Sequence, residues 1–238
     1  MKTNFFTMAA VVLICCTTLT KASAQANRQP SKAILSFVNA SEDDAEENLT
    51  TGKTTVSSTD LKLNSTEKDK QVIGIRFTNL NIPQGAIISS ARLIYNVDEL
   101  KDGWNELTVS AENADHAPAF KAVNNNISAR VKTEVSIKLD DNSVWVNING
   151  SFTSPNIAPV IQEIVNRPGW EEMNAIALLL EGSGESTAIA YDGNPNLPPM
   201  LIVNYSENQN AFTNVLILTN DDKINQSSTN PQENGIRY

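Results

Sequence analysis

The sequence predicts an all-β fold, a jelly-roll-like antiparallel β-sandwich with one short amphipathic helix. Three observations carry this. Short segments alternate apolar and polar residues with period two. Turn signals rich in Gly, Pro, Asn and Asp recur between them. One stretch alone shows the apolar spacing of a helix.

The first 24 residues read as a secretory signal. Lys2 is followed by an apolar run over residues 5–19 and then by Ala22-Ser23-Ala24, the small-residue pattern of a cleavage site. The run is too short to span a bilayer, so no membrane insertion is expected. Both cysteines, Cys15 and Cys16, fall inside it. Cleavage after Ala24 then leaves a chain without thiols, which excludes disulfides, cysteine nucleophiles and cysteine-ligated zinc. The expected setting is secreted, extracellular or periplasmic.

Residues 25–31 form a polar lead-in, and 32–206 the sandwich. Strands are expected at 33–38, at 54–63 as a polar edge, and at 72–78, where Ile73, Ile75 and Phe77 share a face opposite Gly74, Arg76 and Thr78. The turn Asn81-Ile82-Pro83-Gln84-Gly85 leads into a strand at 87–97, with Ala91, Leu93, Tyr95 and Val97 on one side. Further strands are expected at 106–112, 134–139, 144–148, 175–180, 187–191 and 200–205. Residues 41–47 read as an acidic loop. Between them, Ile157, Val160, Ile161, Ile164 and Val165 make a helical stripe. Ser154 or Asn156 can cap it, and Pro168-Gly169 stops it. Residues 207–238 are polar and read either as a disordered tail or as a docking segment built on Val215-Leu216-Ile217-Leu218.

Twenty-seven acidic residues against 18 basic ones give a formal net charge of −9. Nucleic acid is therefore not an expected partner, because its binding rests on Lys and Arg at phosphates. An acidic balance suits solubility outside the cell, or loops that hold a divalent cation.

A family resemblance enters at the run from Val72 to Ala86, where an Arg76-Phe77 strand leads to Ile82-Pro83-Gln84-Gly85-Ala86 and then to Ser90-Ala91-Arg92-Leu93. It continues through Arg167-Pro168-Gly169-Trp170, Gly182-Ser183-Gly184 and Tyr191-Asp192-Gly193. Together these motifs resemble the DNRLRE-domain family, similar to carbohydrate-binding module family 96, over roughly residues 33–205. The resemblance implies a β-sandwich module of secreted proteins that binds an extracellular polysaccharide, acidic algal glycans among the candidates. A polysaccharide-degrading enzyme is the partner it suggests. It does not say which residues bind.

Candidate residues follow from chemistry. Sugars are held by flat aromatic surface and planar polar groups, and uronate carboxylates by guanidinium. Arg76 and Arg92 alternate away from the apparent core, and Trp145, Tyr191 and Trp104 are candidate platforms; the alternatives are solvated arginines and packed aromatics. Trp170 reads as a packing residue. The loop carboxylates Asp43, Asp44, Glu46 and Glu47 suit a structural Ca²⁺, or are a solvated acidic run. No nucleophile motif accompanies Asp115-His116, so a non-catalytic binding module is the leading expectation. A structural or adhesive surface protein without a sugar site is the first alternative, and a polysaccharide-degrading enzyme the more distant one.

Overall fold

Alternation in the sequence becomes two antiparallel sheets in the computed structural model, which describes residues 30–62, 70–99, 104–139, 150–184 and 187–208. The first sheet runs β1 (Lys32–Phe37), β12 (Met200–Ser206), β6 (Ile87–Glu99), β11 (Thr187–Ile189) and β4 (Asp60–Lys62), with β9 (Ser151–Thr153) also paired to β6. The second runs β3 (Thr54–Thr55), β2 (Asp44–Asn48), β5 (Gln71–Phe77), β10 (Ile176–Gly184), β7 (Trp104–Ala111) and β8 (Ile137–Leu139). Among the described residues the only α-helix is α1 (Ala158–Val165).

The sheets bury their facing sides against each other. Leu93, Tyr95, Leu201 and Val203 come from the first sheet, and Ile73, Ile75, Phe77, Leu178 and Leu180 from the second. This is the period-two pattern at work: the residues that alternate toward the partner sheet leave water together. The helix adds its whole apolar stripe, Val160, Ile161, Ile164 and Val165, to the same core. Asn156 serves its start, since its Oδ1 accepts the Ala158 N–H at 3.1 Å. Ser154 instead bonds the sheet, its Oγ accepting the Leu93 N–H at 2.9 Å. Trp170 packs as expected, buried with its indole N–H donating to the Ile82 carbonyl at 2.8 Å.

The second sheet is also covered on its outer face. Ala45, Val72, Ala177 and Leu179 pack there beneath Ala117, Phe120 and Ile127, which belong to the long connection spanning residues 113–136. Covered on both faces, the first five residues of β10 read Ile-Ala-Leu-Leu-Leu, with no polar residue to alternate. Gly74 is needed here: an added Cβ would come within 2.3 Å of the Phe120 ring.

Several expectations are corrected. The acidic stretch is not a loop but one 3-10 turn, Ser41–Asp43, followed by strand β2. Residues 54–62 form two short strands on different sheets rather than one edge strand. The strand expected at 134–139 begins only at Ile137, and β9 was not anticipated. The strand expected at 144–148, Leu63, the signal segment and most of the tail lie outside the described residues.

Candidate functional site

Arg76 and Arg92 do not line one face. Arg76 sits on β5 of the second sheet and Arg92 on β6 of the first, each on its sheet's outer side, so the sandwich lies between them. Arg76 is also spent on the fold: its guanidinium pairs with buried Asp43, and its Nε donates to the Ala117 carbonyl at 2.8 Å. Arg92 is exposed, with one Nη donating to the Ser154 carbonyl at 2.8 Å. Tyr191 packs against the main core at the end of β11. Trp104 begins β7, its side chain outside the described residues, and Trp145 lies outside them altogether.

The carboxylates expected to hold Ca²⁺ are likewise separated, because a strand sends successive side chains to opposite faces. Asp44 accepts the Tyr191 N–H at 2.8 Å, while Glu46 accepts the Ser58 hydroxyl and the Lys62 N–H. Glu47 points the other way, fully buried, its Oε2 accepting Thr54 Oγ1 at 3.1 Å and the Ile127 and Ser128 N–H groups at 2.7 and 3.2 Å. Asp43 is neutralised by Arg76. Each acid thus anchors a neighbouring segment, and among the described residues no group of three or more His, Cys, Asp or Glu is placed to hold a metal ion. Burial pushes the Asp44 carboxyl up to about 7, against the Tyr191 N–H bond and with help from Asp192 and Asp43. Asp115 and His116 form no dyad with each other: Asp115 takes Arg167 Nε at 2.7 Å, and His116 Nδ1 lies against Asn174 and the Ala175 N–H.

What the structure does form is a concavity on the connection that covers the second sheet. Its floor is set by Arg130, whose Nη1 reaches Glu112 at 2.6 Å and the Pro118 carbonyl at 3.0 Å. The same guanidinium donates to the Ala119 and Asn126 carbonyls and stacks over Phe120, 4.2 Å from the ring centre. Asn126 accepts the Lys121 N–H at 2.8 Å, and Asn125 holds a left-handed turn (φ 61°) with its N–H on Gly52. Glu47 fixes the following turn from below.

These bonds leave an open hollow of about 430 Å³, rimmed by exposed Lys121, Asn124 and Asn125 with Pro118, Ala129 and Val131 beside them. That volume falls at the lower end of the range of small-ligand sites. Its lining contains no aromatic side chain. Chemically it offers an ammonium, planar amides and a little apolar surface on a rigid frame.

Sequence reasoning passed over this region because residues 113–136 carry no strand or helix period. The run Asn124-Asn125-Asn126 was the available signal, marking a turn dense in amide groups. Compared with known proteins, the chain matches no protein-family model and no curated protein.

Proposed function

We propose that this is a secreted, non-catalytic polysaccharide-binding module whose sugar site is the concavity of residues 118–131, with uronate-containing glycans favoured. The observation that carries it is the joint presentation, on one braced hollow, of Lys121 and the amides of Asn124 and Asn125. Amides bond to sugar hydroxyls in both directions, and an ammonium answers a uronate carboxylate. The bracing by Arg130 and Glu47 supports the reading, since groups fixed before binding lose little entropy when they engage. The motif resemblance over residues 72–93 and 167–193 points to the same class.

The expected partners are an extracellular polysaccharide and an enzyme that degrades it; Ca²⁺ plays no part in the proposed contact. The test is electrophoretic retention of the secreted chain in gels containing alginate or a neutral glucan. Lys121→Ala and Asn124→Ala should each weaken alginate retention about 5- to 10-fold, the loss of a charged or neutral hydrogen bond. Arg92→Ala, on the opposite sheet, should leave it unchanged. Added salt should weaken the Lys121 contribution. Retention by no glycan would move the protein to the structural or adhesive reading, which the exposed apolar side chains of the first sheet favour.

A further inference from the structure

The outer faces of the two sheets are treated differently. Residues 113–136 cover the second, whereas the first shows two rows in register at its β1 edge, Leu35 beside Ile202 with Arg92 beyond, and the wholly apolar Phe37 beside Met200 and Ile94. Their alternation partners, Ile34, Leu201, Val203, Leu93 and Tyr95, belong to the core, so the rows face outward. Leu35 is 58% and Phe37 48% exposed, and they sit on β1, the edge strand. A solvated face of an antiparallel sheet ordinarily carries polar side chains, and apolar rows on an edge strand invite a covering segment.

The chain itself supplies one. β12 ends at Ser206, at the end of the sheet where β1 begins, and Glu207 pairs with Lys32 of β1, so the chain leaves the sheet beside the edge strand that carries Leu35 and Phe37. Thirty residues, 209–238, follow the described part, and their one run of four apolar residues is Val215-Leu216-Ile217-Leu218. From Asn208 to Val215 an extended chain reaches ~23 Å. The distance along the sheet from the level of Ser206 to that of Met200 is ~20 Å at the rise of a strand. We infer that residues 212–218 of the same chain dock on the outer face of the first sheet, with the run from Val215 to Leu218 covering Leu35 and Phe37. A tethered segment competes at millimolar effective concentration, which favours it over a second copy of the protein.

Because residues 25–238 contain no cysteine, the contact can be read by introduced thiols in the full secreted chain. Leu35→Cys with Ile217→Cys, treated with a short bis-maleimide, should cross-link within one chain. The rate should exceed by about tenfold or more that of Val131→Cys with Ile217→Cys, as tethering at a defined site requires. Equal rates for the two pairs would overturn the inference. So would predominant cross-linked dimers from Leu35→Cys alone, which would place a second copy on this face. A second variant, Leu216→Asp with Ile217→Asp, lies outside the described strands. It should raise binding of an apolar fluorescent dye severalfold, and unchanged dye fluorescence would overturn the docking.

Discussion

At the scale of single residues, Arg76 and Asp44 show how a polar side chain that looks available is committed to the fold. With its partner Asp43 buried and its Nε on the Ala117 carbonyl, Arg76 holds the covering connection to the second sheet. Arg76→Ala should therefore cost ~3–5 kcal/mol of stability, the penalty for stranding the other half of a buried pair. Chemical denaturation measures this directly; an unchanged midpoint would return Arg76 to the class of free surface arginines. Asp44 makes the complementary point about pH. Its folded carboxyl, raised by burial to about 7, holds a proton that the unfolded chain releases near the ordinary carboxylate value. Between those values the folded state binds more protons, so the Asp44 contribution to stability falls as pH rises from about 4 to about 7. Asp44→Asn should remove that slope and leave the variant more stable than the wild type by a few kcal/mol above pH 7, at ~1.4 kcal/mol per pKa unit. Melting curves across that window, showing the same slope in both proteins, would contradict it.

At the scale of elements, α1 joins the parts. Its apolar stripe completes the core between β6 and β7, Gln162 bonds the Ile88 N–H and the Ala86 carbonyl, and Glu163 accepts the Glu134 and Val135 N–H groups at 2.9 and 2.8 Å. Ile161→Ala or Ile164→Ala should cost ~2–5 kcal/mol, as for buried large-to-Ala truncations, and a loss below about half a kcal/mol would show that the stripe does not carry the packing. This helix was legible in the sequence because its spacing and its Pro-Gly stop are local, as were β5, β6, β7 and β12, whose alternation is local too. The acidic segment was not. Glu47 is stabilised by N–H groups 80 and 81 positions away, and nothing near it in sequence announces them. The face of Gly74 and Arg76 was misread for the same reason: a strand with one polar and one apolar side looks solvated, yet residues 113–136 fold over it.

For the whole molecule, the sandwich divides its outer surfaces between two roles. One sheet carries a braced polar hollow on its cover, and the other an apolar face beside the departing chain. The candidate site was the least legible part, since it is assembled by Arg130 and Glu47 from a stretch with no periodicity, while the arginines and aromatics that sequence chemistry favours are separated, packed or outside the described residues. The most direct test of the account is an NMR titration of residues 25–238 with a short oligouronate. The account predicts saturable shifts concentrated at residues 118–131, above all at Lys121, Asn124 and Asn125, and little change at Arg92. Shifts centred on the first sheet, or none up to millimolar ligand, would contradict it.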